Sequence, residues 1–335
     1  MYKSDDNLFT NVVTWSKDDI DAEDNIRKLW KRVLVFLEEK EWYEADEYCE
    51  RILDENLECA EAYLGKLMVN LGVNDPYLLS EYPTSFETNK NYIKAMRYGS
   101  HLLREKLTND INCINSRRQI IIDKLCDLNV GDKLNYGKYY DGSKNSEGQN
   151  IINDVKWLVL DKKGDTALVI TDLGISSYIF NQHQFDSTDG SEITWRNCCL
   201  RSIMDNLYEK MFSTTEKTFI LLSDNIVYKH SLTWGAYDMG IVKDKLFLLS
   251  VKEVEKYFTI DNQDCEVSNY VKEFIPNPND KHGWFTRDVC VWTKKDQGPV
   301  TVYSKKEGKK NTRFAMYKSF NVIAVIRPAM WIKLK

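Results

Sequence analysis

Three observations predict an α+β protein. Apolar residues recur at helical spacing up to Asp127, alternation of period two replaces them afterwards, and the strand-like stretches that follow are short, aromatic and irregularly separated. The 335 residues, 43% hydrophobic and 29% charged with a net charge of −5, describe a soluble protein of about two domains. The change of period divides them into an arm over residues 1–20, a helical domain over 21–127 and a second domain over 128–335. No run approaches the roughly 18 consecutive apolar residues that span a bilayer, and Met1 to Asp6 hold no apolar signal core, so a cytoplasmic protein with no membrane partner is expected.

The arm carries only Leu8, Phe9, Val12, Val13 and Trp15 as apolar positions and is expected to pack on something else. From Asp21 to about Glu39, Ile26, Leu29, Trp30, Val33, Leu34 and Leu37 fall on one helical stripe, and the acidic start suits the positive end of the helix dipole. A second helix is expected over Trp42–Asp54, a third over Cys59–Leu71, and two more over about Asn89–Lys106 and Asp110–Cys126. Gly72, Asp75, Pro76 and Pro83 mark the loop before that last pair. The run Glu41-Trp42-Tyr43-Glu44-Ala45-Asp46-Glu47-Tyr48, followed by Ile52-Leu53 and Ala60-Glu61-Ala62-Tyr63-Leu64-Gly65, resembles a tetratricopeptide repeat, with Ala45 and Gly65 as the small contact positions. No second copy follows. A lone repeat must bury its apolar face against the helices after it, and the resemblance implies a protein-docking region.

Past Asp127, Asn129-Val130-Gly131-Asp132 breaks the stripe. Val155, Trp157 and Val159 face Ala167, Val169 and Ile170 across a Lys163-Gly164-Asp165 turn, which reads as a β-hairpin. A helical stripe follows through Leu200, Ile203, Met204 and Leu207, and short strands are expected around Val289–Thr293, Val300–Ser304 and Val322–Ile326. No βαβ series appears, so a parallel nucleotide-binding sheet is not expected. Tyr136-Gly137-Lys138-Tyr139, Val155 to Leu160, Ile193-Thr194-Trp195-Arg196-Asn197, Leu200-Arg201, Phe247-Leu248-Leu249-Ser250, Trp284-Phe285-Thr286-Arg287 and Arg327-Pro328-Ala329-Met330-Trp331-Ile332 come in an order that resembles a bacterial domain family of unknown function with a C-type-lectin-like fold of the formylglycine-generating-enzyme subclass. Two positions depart from the family pattern, at Phe285-Thr286-Arg287-Asp288 and at Val325.

Trp157, Trp195 and Trp331 lie inside apolar runs and are expected to fill core volume; Arg327, between Ile326 and Pro328, is expected to tie the last strand to a loop through carboxylate or carbonyl partners. Thr194 or Asn197 is the candidate cap of the helix that follows them. The resemblance implies a ligand surface in the last third, where Trp284, Phe285, Arg287, Asp288 and Trp292 are concentrated, and aromatic and arginine side chains are frequent anchors of binding surfaces.

The eight cysteines and four histidines are scattered, without Cys-x-x-Cys pairs, so neither a metal nor a disulfide framework is expected; no cofactor and no catalytic constellation emerges. From Lys281 onward thirteen Lys/Arg face three Asp/Glu, and Lys305, Lys306, Lys309, Lys310 and Arg313 gather around Gly308 in what reads as a solvated hairpin tip. The expected function is a non-catalytic intracellular binding protein with a protein partner. Two alternatives stand beside it: a cysteine-dependent enzyme on the same fold, and a nucleic-acid binder using the basic C-terminal face.

Overall fold

The computed structural model describes residues 20–183, 192–231, 235–275, 280–293, 295–307 and 310–335. The expected arm, the turn at Asn277-Pro278-Asn279 and the charged tip at Lys309 lie outside the described residues, as do the side chains of Lys305, Lys306 and Lys310. The chain divides into two compact units, residues 1–120 and 121–335. Helices dominate the first and antiparallel sheets the second, so the fold is α+β. Among the described residues no helix is long and apolar enough to cross a membrane.

In the first unit, α1 (Ile20–Glu38), α2 (Trp42–Glu55) and α3 (Ala60–Leu71) pack around Trp30, Val33, Leu37, Ile52, Leu64 and Leu67. Helix α3 crosses closely because position 65 has no side chain; a Cβ on Gly65 would lie 2.6 Å from Cys49 Sγ and 3.2 Å from the Trp30 ring. Lys66 reaches back from α3 to Asp46 and Glu50 at 2.7 and 2.6 Å. A 3-10 turn over Pro76–Glu81 leads to α4 (Lys90–Tyr98) and α5 (His101–Leu125). The sequence places the break between these two helices after Lys106; the chain breaks earlier, at Gly99-Ser100. Gly99 takes an extended conformation in which a Cβ would meet Ala95 O at 2.5 Å, and Ser100 Oγ accepts the Leu103 N–H at 3.2 Å to start α5. The polar Thr108-Asn109-Asp110 then stays helical because Leu103, Leu107, Ile111 and Ile114 continue one buried stripe.

The second unit has β1 (Lys133–Lys144), β2 (Asn150–Lys163), β3 (Thr166–Thr171) and β4 (Ser176–Ile179), then α6 (Cys199–Met211) and α7 (Thr214–Lys217). Strands β5 (Ser223–Ser231) and β6 (Ala236–Asp244) and helices α8 (Val251–Tyr257) and α9 (Asn269–Lys272) follow. The chain finishes with β7 (Phe285–Val291), β8 (Gln297–Glu307), β9 (Lys310–Met316), β10 (Ile323–Ile326) and β11 (Ala329–Lys333). Three sheets result: β1-β2-β3-β11, β10-β4 and β6-β5-β7-β8-β9, antiparallel except where β5 runs beside β7. The expected hairpin is β2–β3, with Lys163 opposite Thr166 and Gly164 at φ +55° in the turn.

One core unites the three sheets, and Trp157, Trp195, Trp284, Phe180, Phe247 and Phe285 are among its large, fully buried members. Strand β1 is pinned at a bulge between Asn135 and Lys138. There Gly137 adopts φ +70° with its Cα so near Phe212 that a Cβ would lie 2.6 Å from the ring, and its N–H donates to Glu216 Oε1 at 3.1 Å. The same turn holds the Tyr136 hydroxyl on Glu216 O at 2.7 Å and the Trp157 indole N–H on Tyr136 O at 2.7 Å.

Candidate functional site

The last-third residues that the sequence marks as anchors are interior. Trp284, Phe285 and Asp288 are 0% exposed and Arg287 3%. Strand β7 is covered on both faces, so residues that alternation would send outward meet α8 or the loops before it instead. Trp284 donates its indole N–H to Gln263 O at 2.8 Å and stacks edge-on against Phe258. Arg287 donates Nε to Ile226 O at 3.0 Å, and Nη1 to Leu248 O at 2.8 Å and Glu253 Oε2 at 2.5 Å. Asp288 Oδ2 accepts the Val251 N–H at the start of α8 at 3.0 Å and sits 2.8 Å from His230 Nε2. These contacts bind β7 to β5 and α8. Only Trp292 is half-buried, with Lys318 Nζ 5.3 Å from its ring centroid.

Among the residues expected to be structural, Trp157 and Trp195 are fully buried, and Trp195 donates to Asp244 Oδ2 at 3.0 Å, the carboxylate that also takes Arg201 Nε at 2.7 Å. Thr194 and Asn197 close their own turn, Asn197 Oδ1 accepting the Thr194 N–H at 2.9 Å, and leave α6 to begin at Cys198 without a side-chain cap. Arg327 takes carbonyl partners, Thr171 O at 2.7 Å and Asp172 O at 3.4 Å, and its guanidinium lies over Phe258 and Trp284 at 5.2 and 5.6 Å. Burial pushes its pKa down from the ordinary arginine value. Trp331 is half-buried under Lys163.

Cys290 pairs in register with His230, which is bonded to Asp288, so a thiol, an imidazole and a carboxylate occupy nearby positions of adjacent strands. The thiol is not activated. Cys290 is 1% exposed, its Sγ lies 3.3 Å from Tyr317 O, and burial pushes its pKa up to about 11, away from the thiolate that nucleophilic chemistry needs. Burial also pushes Cys265 up to about 11 and Cys49, Cys59 and Cys198 up to about 12.

The recess that the fold leaves open lies elsewhere, beside β2. Strand β2 runs from Asn150 to Lys163, but β3 pairs only with its Trp157–Lys163 half. Beyond Thr171 the chain turns away: Gly174 N–H goes to Glu266 O at 2.8 Å and Ser268 N–H to Gly174 O at 2.9 Å. Gly174 is needed for that departure, because a Cβ there would lie 2.1 Å from Val325 Cγ1. Between the abandoned part of β2 and the diverted segment lies a cleft of about 620 Å³, lined by Ile152 to Lys156 of β2, Asn135 and Tyr139 of β1, and Leu173, Ile175 and Ser268. That volume is in the usual range of ligand sites. Desolvation raises the Tyr139 hydroxyl above the ordinary phenol value, with the neighbouring Tyr178 adding to it, so a protonated donor faces this wall. Elsewhere Tyr140, Tyr270 and exposed Phe274 form a ring cluster, with centroids 5.9 and 5.1 Å apart.

In the sequence Tyr139, Val155 and Lys156 stand out only as members of the ordered motifs, and nothing there marks these residues as the lining of a cleft. One signal is nevertheless there: alternation extends upstream of Trp157 to Ile151, whereas the matching strand stops at Thr171, so the hairpin arms are unequal. The family model for a domain of unknown function, DUF6273, matches residues 157–334, more than half of the chain. The chain belongs to the DUF6273 family. No curated protein and no solved structure matches. The cleft straddles the start of the DUF6273 match, since Leu173, Ile175 and Ser268 lie inside it and the β1 and upper β2 wall precedes it.

Proposed function

We propose that this DUF6273 protein is a non-catalytic intracellular binding protein whose recognition site is the cleft beside β2. The cleft itself carries this reading: it is an open recess lined by apolar residues such as Leu173 and Ile175 and by hydrogen-bonding ones such as Asn135, Asn153 and Ser268, beside strands packed on a core of tryptophans. The buried, protonated thiols favour binding over cysteine chemistry. We further read the second unit as C-type-lectin-like, with the ordered Trp and Arg motifs in support, and the first as a single tetratricopeptide-like unit supported by the Gly65–Cys49 approach and suited to docking a protein. The site proposed here replaces the last-third surface, four of whose five anchors are interior.

The test is affinity capture from native host cells with the full chain and with Ile152→Asp, which alters an exposed cleft position without touching the core. At least one protein enriched by the parent and lost by the variant, at unchanged melting temperature, is the expected outcome. Identical captured sets would reject the cleft as the recognition site.

A further inference from the structure

We infer that the occupant of the cleft is an extended peptide that adds to β2 as a further strand, an inference that rests on the reading of the cleft as the recognition site. The backbone identifies the ligand class. On the β1 side, the Val159 N–H donates to Asp132 O at 3.0 Å and its carbonyl accepts from Gly131 N at 2.9 Å; on the other side, the Lys156 carbonyl accepts from Asp172 N at 2.8 Å. In a strand the peptide groups of successive residues point alternately to the two sides. The N–H and C=O of Asp154 and Ile152 therefore point as those of Lys156 do, into the cleft, while those of Asn153 and Val155 face β1. Among the described residues, Asn150–Val155 have β1 as their sole strand partner.

A row of donors and acceptors repeating every second residue matches one kind of ligand, the extended polypeptide backbone, and an unpaired edge of this kind is a template for strand addition. The opposite wall cannot close the gap, since the hydrogen bonds of Gly174 are taken by Glu266 and Ser268. Five edge residues, Asn150 to Asp154, offer about 17 Å at roughly 3.4 Å per residue, enough for a short segment of chain.

Side chains set the pattern of that segment. Ile152 and Asp154 are both exposed and, two apart, share one face of β2 on the open edge. Opposite charges directly across a strand pair stabilise it. The peptide accordingly carries a basic residue opposite Asp154 and an apolar residue two positions away opposite Ile152; the place opposite Lys156 is held by Asp172 of this chain.

Selection of a displayed library of random octapeptides on the full chain tests this. The expected result is enrichment of sequences with a basic and an apolar residue two apart. Binding of a selected peptide should fall at least tenfold when its alternate amides are N-methylated, which removes backbone donors and keeps the side chains. Asp154→Pro should abolish it equally while leaving the melting temperature within about 2 °C, because the N–H it removes faces the cleft and not the ladder to β1. Asn153→Pro, which removes a ladder donor, should lower the melting temperature, so the pair checks the assigned direction of each peptide group. Charge reversal by Asp154→Lys should replace the basic residue of the selected pattern with an acidic one. No enrichment, or binding that N-methylation and Asp154→Pro leave intact, would overturn strand addition. If host capture still depended on Ile152 in that case, the cleft would remain the recognition site with a different ligand class; if it did not, both readings would fall.

Discussion

Residues 284–292 and residues 135–156 make opposite use of their chemistry. The first stretch is dense in tryptophan, arginine and aspartate, and almost all of it is interior, joining β7 to β5 and α8. The second holds asparagine, isoleucine, lysine and tyrosine, and lines the recess. Large rings and charged forks can anchor a partner, but in a unit built of short irregular strands they are also what joins one sheet to the next. Chemical richness in this chain marks the mortar, and the candidate site lies where a strand outruns its neighbour.

Four measurements would break or sharpen that contrast. The largest expected effect is at Trp284, where replacement by alanine should cost about 3–5 kcal/mol in denaturant unfolding, by loss of ring burial and of the indole bond to Gln263. A cost under about 1 kcal/mol would show that the stretch is not part of the rigid interior. Gly174→Ala comes next: Val325 must move to admit the Cβ, and a loss of about 1–3 kcal/mol is expected, together with weaker capture of any cleft ligand as the wall shifts.

The buried thiols give a smaller, pH-dependent effect. Their folded pKa values of about 11 and about 12 stand above the ordinary thiol value of 9.0, so the unfolded chain releases protons first as pH rises. Their contribution to stability is fully present below pH 9.0 and is lost as pH climbs through the folded values. Urea unfolding should therefore show falling stability above pH 9.0, less steep in Cys198→Ala; an identical slope in that variant would remove Cys198 from the account. The smallest change belongs to Ile152→Asp, expected within about 0.5 kcal/mol because the side chain is 64% exposed. A loss comparable to that of Trp284→Ala would place Ile152 in the core and dissolve the contrast.

The sequence alone determined the class of the fold, the positions of α1 to α3 and the β2–β3 hairpin, because helical and strand periodicities and the Gly164 turn are local properties of a few neighbouring residues. It also marked Trp157, Trp195 and Arg327 as groups needing burial or partners. It misplaced the α4–α5 break, since polar residues at 108–110 read as a stop until the stripe from Leu103 to Ile114 buries against the other helices. Which rich residues face inward, and where β2 loses its partner, was decided by tertiary structure. A residue on a strand is exposed only if nothing lands on its face, and an edge is open only if the neighbouring chain leaves. Both depend on distant contacts, α8 arriving over Asp288 and Gly174 bonding to Glu266, that no local pattern encodes.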